Sequence, residues 1–250
     1  MYNKQKDVFI YQMGKVGSIS IFKSLNQIYP KEKLHHLHIL NDFELKKVVD
    51  KVNKNNRKIL GTVKESIKVS RMIKLGYIPK YIITLTRDPI ARNISHYFDF
   101  VYNGSKGPLN TRMIPFWIND FIQNWNHEFP LKWFDNEMKQ TFNLDIYKHS
   151  FEKKKGFKIY KKNETNLLLY RLEDLSRVYS EGIKQLLGLN SKQLLSGNIK
   201  SDKTLYKQFI KKIRIPDNLL EKYYKSKYFE NFYSDQDKAR FLKKWCNKGI

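Results

Sequence analysis

Two short stretches of this chain carry residue types that hold phosphate, each where a strand would turn into a helix. The first reads DVFIYQMGKVGSIS, from Asp7 to Ser20. Its apolar half, Val8–Met13, reads as a buried strand, and the turn Gly14-Lys15-Val16-Gly17-Ser18 then opens a helix. Two glycines let the backbone approach an anion closely. The helix start supplies unbonded N–H groups and the positive end of its dipole. Lys15 adds a full positive charge, and Ser18 and Ser20 add hydroxyls. The spacing GxxxxGK[ST] of a Walker A loop is absent, which removes the main support for an ATP kinase. Alone, the turn would also suit a purely structural strand-to-helix connection.

The second stretch, YIITLTRDPIARNISHYF, runs from Tyr81 to Phe98. Asp88 suits a helix N-cap and Pro89 the first helical position. Beyond them Ile90, Ile94, Tyr97, Phe98 and Val101 share one helical face. Arg92 and Ser95 are expected on the opposite, polar side, with Arg87 just ahead of the helix. Arginine is a planar, multi-donor partner for phosphate. The bland alternative makes Arg92 a solvated surface residue and Arg87 a structural ion-pair donor. The two stretches read as halves of one nucleotide site.

At this point the residues resemble a family. GKVGSIS after a strand resembles the 5′-phosphosulfate loop of sulfotransferases. TRDPIARNISHYF resembles their 3′-phosphate motif, in which an Arg and a Ser stand eight residues apart, as Arg87 and Ser95 do. The second motif is similar to that of the heparan sulfate and uronyl 2-O-sulfotransferases. The whole chain is similar to bacterial capsular polysaccharide synthesis proteins, through LLLYRLEDL (Leu167–Leu175) and YYKSKYFENFYS (Tyr223–Ser234).

The resemblance implies a P-loop-NTPase-like sulfotransferase fold of the α/β class. A central, mainly parallel sheet would be flanked by helices and covered by a helical C-terminal cap. It implies 3′-phosphoadenosine 5′-phosphosulfate (PAPS) as co-substrate, the 3′,5′-bisphosphate (PAP) as product, and a carbohydrate hydroxyl as acceptor. By carry-over, Lys15, Val16, Gly17, Ser18, Ile19 and Ser20 line the 5′ side, and Lys15 stabilises charge on the bridging oxygen. Arg87 and Ser95 hold the 3′-phosphate. Lys200, Lys203 and Tyr206 lie where related chains carry a donor-covering loop, with Lys203 the candidate contact. Such a transfer needs positioning and charge stabilisation, which lysine and helix N-termini supply without a metal.

An attacking hydroxyl must also lose a proton to a base. The run Lys33-Leu34-His35-His36-Leu37-His38-Ile39 holds three of the six histidines. In a strand His36 and His38 share a face and His35 takes the other. In the 2-O-sulfotransferase group a His in a similar place is the base. His38 is the first candidate, His36 the second or a helper, and His35 a structural residue. Glu65 is the carboxylate alternative. Two His on one face could also be zinc ligands, but a third ligand is missing.

The elements that must position these groups follow from periodicity. Strands are expected at Val8–Met13, Leu34–Ile39, Lys58–Val63, Tyr81–Thr86 and Asn166–Leu172. Helices are expected over Ile19–Ile28, Glu44–Lys51, Ile67–Leu75, Ile90–Tyr102, Pro115–Trp125, Lys132–Phe142, Leu175–Leu187, Asn218–Phe229 and Gln236–Cys246. The Lys-rich, aromatic Tyr147–Lys162 reads as a hairpin or irregular insert, either solvated or suited to an acidic glycan. No linker or repeat divides the chain, so a single domain is expected over residues 1–250, with about 175–250 as the cap. Glu173 and Asp174 read as sheet-ordering residues. Packing is the default for Trp117, Trp125, Trp133 and Trp245.

Composition is consistent with this reading. The 250 residues carry 48 Lys+Arg against 24 Asp+Glu, a net charge of +24. That field favours anionic partners, an acidic acceptor glycan or a membrane surface among them. No nucleic acid partner is expected. An aromatic content of 14% argues against disorder. Cys246 is the sole cysteine, which fits a reducing compartment. No apolar run approaches the roughly 18 residues of a membrane span. A soluble, cytoplasmic protein is the expectation.

Overall fold

The computed structural model describes residues 6–54, 59–104, 109–191, 193–197 and 203–246. In chain order, β1 (Val8–Tyr11) leads into α1 (Ser18–Leu25), and β2 (Leu34–Leu37) into α2 (Asp42–Lys54) and α3 (Gly61–Lys74). Next, β3 (Tyr81–Thr86) is followed by α4 (Pro89–Gly104), α5 (Ile114–Asn124) and α6 (Phe129–Trp133). A π-helical stretch, Phe134–Lys139, joins α6 to α7 (Gln140–Phe142). Then come β4 (Phe157–Lys162), β5 (Thr165–Arg171), α8 (Leu175–Leu187), α9 (Lys203–Lys212), α10 (Asp217–Tyr224), α11 (Lys227–Phe232) and α12 (Asp235–Cys246). The chain divides into two compact units: Met1–Thr86 with Trp133–Asn198, and Arg87–Lys132 with Ile199–Ile250.

The first unit is an α/β structure around a five-stranded sheet of order β2-β1-β3-β5-β4. The first four strands in that order pair in parallel, and β4 pairs antiparallel with β5. Val8, Phe9, Ile10 and Tyr11 are fully buried, as are Leu167, Leu168, Leu169 and Tyr170. Continuous apolar runs of this kind suit parallel strands covered on both faces. From β1 the chain moves to β2 on one side, then crosses back to β3 on the other. The connections leaving β1 and β3 therefore diverge. Ligands of open α/β sheets bind at such a switch point, outside the carboxyl ends of the strands. The Gly14–Ser18 turn occupies that place.

Two expectations about these elements need correction, and a third is narrowed. Lys58–Val63 is not a strand: Lys58 lies outside the described residues, and Gly61–Lys74 is helical. Leu60 is 68% exposed, so its apolar side chain contributes no buried strand, and its carbonyl instead accepts the first helical N–H bonds from Val63 and Lys64. Of the hairpin or irregular insert expected over Tyr147–Lys162, the hairpin holds for its last part: Phe157–Lys162 form β4, joined to antiparallel β5 by a turn with Asn163 at φ 51. Lysines protect this edge strand from pairing with another chain. The expected helix Asn218–Phe229 is two helices, because the Ser226 hydroxyl accepts the Phe229 N–H (3.2 Å) and starts a new one.

α8 spans the expected Leu175–Leu187 and belongs to the sheet unit. Tyr170 on β5 donates its hydroxyl hydrogen to the Tyr179 carbonyl of α8 (2.8 Å). In the second unit the core is aromatic: Tyr97 and Phe98 of α4 meet Phe121 of α5 and Phe209 of α9, with ring centroids 4.8–6.3 Å apart.

Glu137, in the π-helical stretch, ties the sheet to the segment that leaves β2. Its buried carboxylate accepts the Tyr11 hydroxyl and the backbone N–H groups of Leu40 (2.8 Å) and Asn41 (2.9 Å). Nearby, the Trp133 indole donates to the His38 carbonyl (3.3 Å). Truncating Glu137 would strand these donors in a dry interior. Glu137→Ala should lose about 3–5 kcal/mol of stability in urea unfolding. A loss below about 1 kcal/mol, the net worth of one ordinary hydrogen bond, would contradict this role.

Candidate functional site

The turn after β1 is wound in a left-handed backbone. Gly14, Lys15 and Gly17 have φ of 73, 63 and 88. Positive φ at these positions makes a sharp turn at the end of the strand, the kind of backbone from which anion-binding nests are built. Lys15 bears this conformation with a side chain, at a cost of roughly 1–2 kcal/mol. Such strain clusters at functional sites. An added Cβ at Gly17 would lie 2.5 Å from Leu172 Cδ1, so a larger residue would have to displace that side chain and bear a φ of 88. α1 then begins with no acidic residue in its first turn. Val16 and Ser18 are buried, Lys15 is half-buried, and Ile19 is exposed. Of the expected 5′-side groups, Ser20 donates its N–H to the Gly17 carbonyl (3.1 Å). Residues 193–197 run along this helix: Leu195 N–H donates to Ser24 Oγ (2.7 Å), and a Cβ on Gly197 would lie 2.9 Å from Ser20 Oγ.

Beneath the turn lies a polar cluster that the motifs did not reveal. Gln12, the first residue past β1, is fully buried. Its Oε1 accepts the Gly14 N–H, which fixes which end of the amide is nitrogen. Its Nε2 then lies 2.7 Å from Ser18 Oγ and 2.8 Å from His38 Nδ1. Ser18 Oγ lies 2.9 Å from His36 Nε2. Gln12 thus donates to Ser18, and Ser18 is placed to donate to His36 Nε2, while His38 Nδ1 also lies 3.1 Å from the Gln12 carbonyl oxygen, so either ring nitrogen of His38 can carry its hydrogen. With Ser18 donating to its Nε2, a neutral His36 carries its hydrogen on Nδ1. Parallel pairing explains the gathering. Ile10 pairs with His36, so Gln12 and His38, each two residues on, face the same side.

The His36 pKa is pushed down to about 4, first by burial and then by the neighbouring His38. Its ring stacks on Phe22 with centroids 5.7 Å apart. His35 points to the other face, where its Nδ1 lies 2.6 Å from Glu65 Oε1 and its ring packs edge-on to Phe9. Glu65 thus stands on α3 against His35 rather than beside His36 and His38, and it does not follow a strand. Among the described residues, no three His, Cys, Asp or Glu side chains gather to form a metal site.

The second motif lies in the second unit. Arg87 is half-buried, and its peptide is bracketed by one hydroxyl. Tyr228 Oη accepts the Arg87 N–H (3.0 Å) and donates to the Arg87 carbonyl (2.9 Å). Asp88 caps α4 as expected, accepting the Ile90 N–H (3.2 Å) and the Trp245 indole N–H (2.7 Å). Full burial pushes its carboxyl pKa up. Ser95 is half-buried on α4. Arg92 is not on a solvated face: it is 2% exposed, its guanidinium lies 4.4 Å from the Phe129 ring centroid, and it donates to Asn93 Oδ1 (2.9 Å). Burial lowers its pKa to about 9. Lys203 opens α9 rather than a loop, and its side chain lies outside the described part, as does Lys200. Tyr206 packs edge-on to Phe98 at 5.2 Å. Asp174 takes ion pairs from Arg171 and Arg177, which suits the sheet-ordering role of this segment. Trp117, Trp133 and Trp245 are buried.

Residues 113–234, just under half of the chain, match a family described as "Putative capsular polysaccharide synthesis protein". The match takes in Leu167–Leu175 and Tyr223–Ser234 but neither phosphate-type turn. No curated protein and no solved structure matches the chain. No helix among the described residues is long and apolar enough to cross a membrane.

The histidine cluster makes a pH prediction. An unfolded His36 takes a proton near its ordinary value of 6.5, whereas the folded imidazole resists protonation down to about 4. Protonation therefore favours unfolding in that window. The contribution is present above pH 6.5 and is lost as the pH falls toward 4, up to about 3 kcal/mol. An NMR titration of the imidazole signals should place the His36 midpoint near 4. A midpoint near 6.5 would contradict the buried, neutral assignment.

Proposed function

We propose that this protein is a sulfotransferase that moves a sulfuryl group from PAPS to a carbohydrate hydroxyl, in capsular or surface polysaccharide synthesis. The observation that carries the reading is the left-handed Gly14–Gly17 turn, set over the Gln12–Ser18–His36 chain at the switch point of the sheet. The turn offers N–H groups and the Lys15 ammonium to an anion. The chain beneath it offers a neutral imidazole that already accepts from a hydroxyl. Donor binding and proton removal would thus come from adjacent groups. The family match over residues 113–234 supports the polysaccharide context.

In the proposed reaction the acceptor oxygen attacks sulfur and its proton passes to a histidine. The bond from sulfur to the bridging phosphate oxygen breaks, and PAP leaves. Lys15 and the turn amides stabilise the charge that builds on the departing oxygens. Of the two candidate bases, His36 suits the step better, because its Nε2 is an acceptor. His38, with Nδ1 held against the Gln12 amide nitrogen and the Gln12 carbonyl oxygen, suits an orienting role. Arg87 and Ser95 are assigned to the 3′-phosphate on the sequence resemblance.

Calorimetry with PAP, ADP and ATP tests the donor assignment. PAP should bind well ahead of ADP and ATP. Lys15→Ala and Arg87→Ala should each weaken PAP about 10–100-fold, the worth of one charge-assisted contact. Equal binding of all three nucleotides, or indifference to both substitutions, would favour a general nucleotide or polyanion binder.

A further inference from the structure

The outermost strand of the sheet, β4, and the turn before it carry a row of lysines to which the proposed transfer gives no role. The run Phe151–Lys162 holds six lysines and one carboxylate, Glu152. Edge protection accounts for the lysines inside β4. It does not account for Lys153, Lys154 and Lys155, which stand in the turn ahead of the strand. Among the described residues, Lys153, Lys154 and Lys161 make no ion pair, and Lys155 reaches Glu181 only at 4.0 Å. The Lys158 and Lys162 ammoniums donate to the Ser150 and Asn143 carbonyls. Each carbonyl uses one of three ammonium donors and leaves the charge uncompensated.

The row is ordered before any partner arrives. Lys155 Nζ lies 4.3 Å from the Phe157 ring centroid, and Lys158 Nζ lies 5.3 Å from that of Tyr160. Arg177 on α8 donates to the carbonyls of Lys154 (3.4 Å) and Lys155 (3.2 Å) and is itself held by Asp174 (2.9 Å). The Gly156 N–H closes the turn on the Glu152 carbonyl (3.0 Å). A surface fixed in this way spends little affinity on ordering. The six residues of β4 span about 17 Å, so the charges form a narrow line rather than a pocket. β4 runs antiparallel to β5, with Phe157 opposite Tyr170. The Lys153–Lys155 turn therefore sits at the same end of the sheet as the Gly14–Ser18 turn, three strand spacings or about 14 Å across it.

The chemistry of the row narrows the partner. A line of uncompensated ammoniums suits an extended polyanion. Phe151, Phe157 and Tyr160 are buried, so the row offers none of the aromatic faces on which single-stranded nucleic acids stack their bases. None of the large apolar residues exposed among the described residues lies in this turn, β4 or α8, so a membrane finds no side chain there to take in. We propose that the β4 edge binds an anionic polysaccharide through its uronate or sulfate groups, with one end of the bound stretch directed to the carboxyl edge of the sheet. The binding claim is independent of the sulfuryl-transfer reading.

The test is fluorescence anisotropy of the full chain with labelled oligogalacturonate, sulfated dextran oligosaccharide, neutral dextran and single-stranded DNA of matched charge, together with co-sedimentation on phosphatidylglycerol vesicles. PAP is left out, so the result is separate from the donor assignment. At least one anionic glycan should bind, neutral dextran should not, and DNA should bind more weakly than the better glycan. The preferred glycan tells uronate from sulfate. Lys153→Glu, Lys154→Glu and Lys161→Glu combined should weaken that glycan about tenfold or more. The same charge change at exposed positions of α9, Lys207→Glu, Lys211→Glu and Lys212→Glu, should weaken it about threefold or less. Lys154→Glu alone, at an exposed position, should weaken it about two- to threefold and decides the matter if the triple variant fails to fold. No glycan binding, equal losses from the two triple variants, no loss from the β4 variants, or tighter binding of DNA or vesicles through the same lysines would overturn the proposal.

Discussion

The buried Gln12 amide can take only one orientation, because its oxygen is claimed by the Gly14 N–H inside the turn. From that bond the roles of the groups around its nitrogen end begin to follow. The nitrogen end must donate, so Ser18 Oγ becomes an acceptor and is placed to pass its own hydrogen to His36 Nε2, while His38 Nδ1 lies between the Gln12 amide nitrogen and the Gln12 carbonyl oxygen. An amide in a dry interior leaves no polar end unsatisfied without a cost of about 1–3 kcal/mol. The same bond also steadies a left-handed turn that a lysine side chain would otherwise disfavour. The backbone of the turn and the Ser18–His36 contact are thus coupled through one side chain.

This coupling needs β2 to lie beside β1 in register, which the parallel sheet provides. It also needs the exit of β2 to stay where the strand leaves it. Glu137 and Trp133 hold that exit from a π-helical stretch and its neighbour, and π-bulges often mark functional sites. The carboxylate is costly to bury, and its pKa is raised by that burial. Its backbone donors offset part of the cost and convert it into a fixed path for residues 38–41.

Much of this was legible in the sequence, where one signal dominated. β1, β3, β5 and α8 follow from apolar runs or 3.6-residue periodicity with clear stops, and the Asp88-Pro89 helix start follows from capping chemistry. The illegible parts are those in which a tertiary partner decides. Ile59-Leu60 looks like strand material, but Leu60 faces solvent and caps α3. β4 is masked by lysines that an edge strand needs. Arg92 sits at a position that periodicity alone makes polar, and its burial comes from tertiary packing, the Phe129 ring among its partners. Gln12 belongs to no motif. Its one sequence signal is a polar residue closing a fully apolar strand just before a glycine turn.

Amide chemical-shift mapping of the full chain with added PAP tests the central claim most directly, that the turn after β1 is the anion site. The account predicts saturable shifts concentrated on the N–H signals of residues 14–20, accompanied by the imidazole signal of His36. Shifts that leave those amides untouched, or that a simple salt reproduces in full, would contradict it.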